Sequence, residues 1–205
     1  MSGIKKSLNT AVLVSGGGSN LQALIDAEKK GIIRSAKLCL VISSKPDAYA
    51  LERARISEIP AFYIDGAEFE KRLDERLREF NIEFIVLAGF LKILSPDFCL
   101  KWKNRIINIH PSLIPAFCGK GFYGLKVHEA CIERGCKISG ATVHYVNHIP
   151  DGGGIILQKA VSVLDSDDAQ SLQSRIMREA EWQILPQATE IVAKKLLEDN
   201  NGEIS

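Results

Sequence analysis

The sequence predicts a doubly wound α/β fold: a mostly parallel sheet with antiparallel strands in the C-terminal half. Three observations carry this expectation. Short apolar runs of strand length alternate with amphipathic stretches of helix length through the first half of the chain. Three glycines join the first run to the first helix. The last two apolar runs are linked only by residues 147–153, too few for a helical crossover, so they must pair antiparallel.

The elements follow in order. Residues 10–15 are too short and apolar for anything but a buried strand, and residues 20–27 place Leu21, Leu24 and Ile25 on one helical face. A second buried strand over 37–43 precedes a helix over 48–56 that must stop before Pro60. Residues 61–64 make a short third strand. Phe69, Leu73, Leu77 and Phe80 recur at helical spacing, and 83–88 is the next strand. Ser95-Pro96 is a helix start, with a capping hydroxyl and proline in the first turn. After the strand at 105–109 the texture changes to a proline- and glycine-rich loop over 110–124, followed by a helix to Arg134. Strands over 139–146 and 154–163 come next. A long helix over 168–198 closes the chain, with Pro186 expected to break or kink it. No repeat, low-complexity tract or linker interrupts this pattern, so residues 1–205 are expected to form one Rossmann-like domain.

Composition narrows the function classes. Of 205 residues, 26 are Lys or Arg and 25 Asp or Glu, a formal charge of +1 that provides no electrostatic footprint for nucleic acid or a membrane surface. Small-molecule partners are expected. The five cysteines are odd in number and none forms a C-x-x-C pair, which reads as reduced thiols in a cytoplasmic protein without a structural metal. The segment 11–14 is too short for a signal-peptide core, and no stretch has the length of a membrane span.

Three groups of residues carry chemistry. Ser15-Gly-Gly-Gly-Ser-Asn20 lies between strand and helix, where glycines let backbone amides approach an oxyanion and the helix adds its positive end. It lacks the last glycine of a dinucleotide fingerprint and the Gly-Lys-Ser/Thr of a P-loop, so a phosphomonoester is the better ligand. A plain turn with Ser19 or Asn20 as helix cap is the simpler alternative. Asn108 and His110 project from one strand face, an oxyanion donor beside a group that moves protons near neutral pH. Asp151 precedes three glycines in a tight turn and could orient an imidazole or a water; His144 and His148 are alternatives for that duty, with His144 better suited to packing.

Val14-Ser-Gly-Gly-Gly-Ser-Asn-Leu-Gln-Ala23, Val86-Leu-Ala-Gly-Phe-Leu-Lys-Ile-Leu-Ser-Pro96 and Asn108-Ile-His-Pro-Ser-Leu-Ile-Pro115 occur together and in order, followed by Gly140-Ala-Thr-Val-His-Tyr-Val146 and Asp151-Gly-Gly-Gly-Ile-Ile-Leu-Gln158. With these blocks the chain resembles the phosphoribosylglycinamide formyltransferases, a branch of the formyl-folate transferase and hydrolase superfamily. The resemblance spans residues ~10 to ~190. It implies transfer of a formyl group from 10-formyltetrahydrofolate to the amine of glycinamide ribonucleotide in purine biosynthesis, without a metal. It implies a substrate phosphate on Gly17, Gly18, Ser19 and Asn20, and a substrate contact from Glu181. The folate would lie against Leu91, Lys92, Ile93 and Leu94 and against the loop Val146, Asn147 and His148. The catalytic trio would be Asn108, His110 and Asp151, and the Ile114–Pro115 bond would be cis.

The chain also departs from the family. In many relatives the stretch matching Asp65-Gly-Ala-Glu68 carries an arginine that reaches the substrate phosphate, whereas here no basic residue occurs until Lys71 and Arg72. Lys92 stands for a frequent arginine, Gly154 for proline and Trp182 for histidine. The rival readings are a formyltetrahydrofolate deformylase, which would deliver water with the same trio, and a non-catalytic phosphosugar- or folate-binding module. The deformylases usually carry an extra N-terminal domain, and the tRNA-directed cousins an extra C-terminal one. A bare domain acting as monomer or homodimer is expected.

Overall fold

The chain is described by a computed structural model over residues 7–202. These fall into two compact units, residues 7–92 with 186–202, and residues 93–185.

The first unit is built on four parallel strands in the order β3-β2-β1-β4: β1 (Leu8–Val14), β2 (Ala36–Ser43), β3 (Ala61–Tyr63) and β4 (Phe84–Leu87). The central strand is buried on both faces, with Leu8 and the run Ala11, Val12, Leu13 and Val14 inaccessible to solvent, which is why it reads as a continuous apolar run instead of an alternating one. Helix α1 (Ser19–Lys29) buries Leu21, Leu24 and Ile25, and α3 (Phe69–Glu79) buries Phe69, Leu73 and Leu77, the stripe that the helical spacing requires. Between them, α2 (Tyr49–Ile56) buries only Ala50 and Ala54, so its backbone packs close. The C-terminal residues return to this unit, where the Glu190 carboxylate accepts bonds from the Arg34 and Ser35 amides (2.7 and 2.8 Å) and from the Ser35 hydroxyl (2.9 Å).

The second unit begins with α4 (Pro96–Lys101), whose first turn is capped by the Ser95 hydroxyl accepting from the Phe98 amide at 3.1 Å. Strands β5 (Ile106–His110), β6 (Ile138–Tyr145) and β7 (Ile155–Ser162) lie in the order β5-β6-β7, with α5 (Leu125–Glu133) between the first two in sequence. The β6–β7 pair is antiparallel, as its short link requires. The β5–β6 pair is antiparallel too, although a helix intervenes. Residues 111–124 reverse the chain before α5, so that helix does not act as a parallel crossover. Asp168 and Ser171 cap α6 (Ala169–Ile176) reciprocally.

The long C-terminal helix is interrupted, but not at Pro186. A π turn (Met177–Glu181) separates α6 from α7 (Trp182–Gly202), and Pro186 sits in the second turn of α7. The lost amide and the crowding of the proline ring fall on Trp182, directly after the widened turn. The Ile114–Pro115 bond is cis, as the resemblance implies. Among the described residues no helix is long and apolar enough to cross a membrane.

Candidate active site

The second unit brings Asn108, His110 and Asp151 together. Asn108 and His110 alternate out of β5 on one face, and the antiparallel register sets His144 opposite Asn108 and Thr142 opposite His110. Asn108 Nδ2 and His144 Nε2 lie 3.1 Å apart, while His144 Nδ1 donates to the carbonyl of Tyr145 at 2.8 Å. His110 Nε2 donates to the Phe117 carbonyl at 2.8 Å and turns Nδ1 toward Asp151 Oδ2 at 3.5 Å. The other Asp151 oxygen lies 3.5 Å from His144 Nε2. One carboxylate therefore faces two buried imidazoles, and its side chain is only 14% exposed.

The turn that delivers Asp151 is built for it. Asn147 braces the turn by donating to the Gly152 carbonyl (3.1 Å) and accepting from the Ile149 amide (2.9 Å). Asp151 itself has φ +56°, a left-handed conformation that costs a non-glycine residue energy and recurs at functional sites. A side chain at Gly153 would put Cβ 1.7 Å from the Tyr145 carbonyl oxygen, so only glycine lets the turn close on the end of β6. The Gly119 amide donates to Asp151 Oδ2 at 2.8 Å. Residues 117 and 119 thus hold His110 and Asp151 through backbone atoms. The loop is anchored below by Thr142, whose hydroxyl donates to the Ser112 carbonyl (2.7 Å) and accepts from the Ile114 amide (3.1 Å).

Burial pushes the His110 imidazole below its ordinary value, a drop that Asp151 and the Phe117 carbonyl only partly offset. Burial alone would raise the Asp151 carboxyl, but His144, His110 and the Gly119 amide outweigh it and hold the group below the usual carboxylate range. The site is a carboxylate held in its charged form beside two imidazoles, able to take up and pass on a proton. His128, fully buried on α5 with no partner for either ring nitrogen among the described residues, is pushed down to about 4 by burial and by His110.

In the first unit the glycine turn takes the shape the sequence predicts, with a different cap. Gly18, at φ +73°, occupies the N-cap of α1, and neither Ser19 nor Asn20 caps it by a side-chain bond. Gly17 is exposed, Gly18 and Ser19 are half-buried, and Asn20 is buried. Ser15 closes the strand end, bonded to the Ser44 hydroxyl (2.7 Å) and accepting from the Leu91 amide (2.9 Å). That bond ties the first residue of the expected folate segment to the turn. Leu91 is exposed, and Lys92 pairs with Asp65 and lies 5.0 Å over the Phe69 ring. The remaining folate candidates are dispersed in the second unit: Ile93 is exposed, Leu94 buried, Val146 and Asn147 half-buried, and His148 exposed. Glu181 is buried in the π turn, an irregularity that recurs at functional sites.

His144 is the member of this cluster that the sequence pattern does not single out. Its position inside a strand suggests packing, and only the register across β5 shows that it joins Asn108 to Asp151. Phe117 and Gly119 carry no side-chain signal at all, because they act through main-chain atoms.

Known proteins match this arrangement along most of the chain. The profile of the formyl transferase family matches residues 8–189. A phosphoribosylglycinamide formyltransferase of Haemophilus influenzae is 41% identical over 182 residues, covering 86% of this chain and 82% of that protein. The human trifunctional purine biosynthetic protein adenosine-3 is 41% identical over 98% of this chain, which spans only 20% of its length; the chain spans 61% of the chloroplastic phosphoribosylglycinamide formyltransferase of Vigna unguiculata, at 37% identity. Among solved structures, glycinamide ribonucleotide transformylase 1 of Symbiobacterium toebii superposes with a TM-score of 0.85 at 39% identity, covering 92% of this chain and 89% of that one. A formyltetrahydrofolate deformylase of Pseudomonas putida superposes at 0.78 with 28% identity, covering 90% of this chain and 64% of that one. With its α/β strand order, its Asn-x-His strand and a family profile running through both units, the chain belongs to the formyl transferase family.

Proposed function

We propose that the chain transfers the formyl group of 10-formyltetrahydrofolate to the primary amine of glycinamide ribonucleotide. The observation that carries this reading is the convergence of His110 and His144 on one Asp151 carboxylate, with Asn108 bonded to His144, in a chain similar over most of its length to proteins named for that reaction. The family profile runs from residue 8 to residue 189, which supports one formyltransferase domain in spite of the two compact units.

In this reading the glycine turn of the first unit receives the phosphate, and Glu181 meets the glycinamide. Leu91 to Leu94 and Val146 to His148 meet the folate. The amine adds to the formyl carbon, and Asn108 stabilises the oxyanion that forms as the carbonyl π bond opens. His110 adds a second donor once its Nε2–H leaves the Phe117 carbonyl, so substrate binding must shift residues 117–119. Asp151, directly or through a water, takes the proton released by the attacking nitrogen and passes it toward N10. The C–N10 bond then breaks and the new amide keeps the formyl group; no metal enters the balance.

The test is spectroscopic detection of the folate product with and without glycinamide ribonucleotide. Product that depends on the nucleotide supports the transferase. Equal product in both mixtures would mean hydrolysis, and no product would leave a binding module.

A further inference from the structure

The carbonyls of the three consecutive glycines are all committed, and each bond draws its oxygen toward a helix. Gly18 O accepts the Gln22 amide of α1 (2.9 Å), and Gly16 O accepts the Ala50 amide of α2 (3.1 Å). Gly17 O has a side chain for its partner, Arg53 Nε at 2.8 Å. The guanidinium is itself oriented. Nη1 donates to Gln22 Oε1 at 3.1 Å and the group lies 5.1 Å over the Tyr49 ring, so Arg53 spans the turn from α2 to α1. α2 presses directly on this turn, since a Cβ at Gly18 would lie 2.7 Å from both Cα and Cβ of Ala50.

A trans peptide points its C=O and N–H in opposite directions. Drawing the Gly16 and Gly17 oxygens toward α2 therefore turns the amides of Gly17 and Gly18 away from it, and an approaching anion meets N–H groups in place of lone pairs. The helix macrodipole of α1 acts in the same sense. Without Arg53 the Gly17–Gly18 peptide loses the side chain that orients it. The cation beside the turn is lost at the same time.

We infer that Arg53 is a positioning residue for the phosphate end of the substrate, holding the Gly17–Gly18 peptide in its anion-accepting orientation and adding a positive charge beside it. This rests on the reading of the turn as the phosphate site. Lysine would restore the charge without the planar fork that reaches Gly17 and Gln22 together. Arg55, two residues on along the same helix, is exposed and paired with Glu52 at 2.6 Å, and provides the control.

The experiment measures steady-state kinetics against both substrates, together with amide NMR titration by inorganic phosphate, for wild type, Arg53→Ala, Arg53→Lys and Arg55→Ala. Arg53→Ala should raise KM for glycinamide ribonucleotide by about tenfold or more, as expected for a charge-assisted contact, and leave KM for the formyl-folate within about twofold. Arg53→Lys should fall between, and Arg55→Ala should match wild type. Equal KM values for the nucleotide in Arg53→Ala and wild type, or equal increases for both substrates, would overturn the inference while leaving the transferase reading intact. If wild type transfers no formyl group, that reading fails and the phosphate titration decides alone. Weaker phosphate binding at the Gly17 and Gly18 amides in Arg53→Ala but not Arg55→Ala supports the role; identical titrations, or none in wild type, refute it.

Discussion

Replacing Asp151 with asparagine preserves the shape of the side chain and removes the charge that two imidazoles share. Each imidazole nitrogen lies 3.5 Å from a carboxylate oxygen. At that separation a carboxylate and an imidazolium attract by about 5 kcal/mol at an effective dielectric constant of about 20, an upper value because solvent reaches part of the carboxylate. A proton moving through this cluster in the transition state loses much of that stabilisation in Asp151→Asn, so kcat should fall by about 10²- to 10⁴-fold, the range of general acid–base catalysis. The substitution has a second consequence. Asp151 opposes the effect of burial on His110, so in the variant the His110 ring should titrate still further below its ordinary value. Folate product formation measured across pH gives the first quantity, and NMR of the ring protons gives the second. Circular dichroism establishes that the variant is folded. A kcat within tenfold of wild type, or a His110 titration that stays in place or rises, would refute the account of this cluster.

Three further outcomes are expected. Asn108→Ala and His110→Ala should each lower kcat by about 10²- to 10³-fold with the fold retained, since each removes one donor to the oxyanion; near-normal turnover in either would remove that residue from the mechanism. Gly153→Ala forces Cβ to 1.7 Å from the Tyr145 carbonyl, so the turn must open. The variant should lose stability, by more than about 2 kcal/mol in urea unfolding, and should lose activity with Asp151 displaced; a wild-type midpoint would contradict the geometry. Glu190→Gln weakens three charge-assisted bonds at a partly exposed position, and should cost about 1 kcal/mol at pH 7. The folded-state pKa of Glu190 is lowered, because the bonds from Ser35 and Arg34 outweigh the effect of burial. The stabilisation is therefore present above the unfolded pKa and is lost as pH falls through the folded one. Wild type and variant should converge in stability at low pH, and a constant difference would count against the assignment.

Much of the first unit was legible in the sequence because its elements are specified locally. The apolar run of β1 and the four-residue spacing of Phe69, Leu73 and Leu77 each place an element within a few residues of its observed bounds, and the Ser95-Pro96 cap does the same for α4 at the start of the second unit. The antiparallel partner of β5 was not legible, because a helix in a connection does not reveal where the chain reverses first. Nor was the course of the C-terminal helix, where the irregularity lies at residues 177–181 and not at the proline. At the site, Asn108, His110 and Asp151 announce themselves by residue type, but His144 reads as core until its register opposite Asn108 is known.

By itself the sequence determined the α/β class, the glycine turn, the chemically competent side chains and the family. These depend on periodicity, on turn chemistry and on motifs that lie close together along the chain. Tertiary structure alone decided that two imidazoles share one carboxylate, that the Phe117 carbonyl and the Gly119 amide hold His110 and Asp151, and that Arg53 reaches the Gly17 carbonyl. These contacts join residues from 7 to 41 positions apart through main-chain atoms and strand register, which no local pattern of side chains encodes.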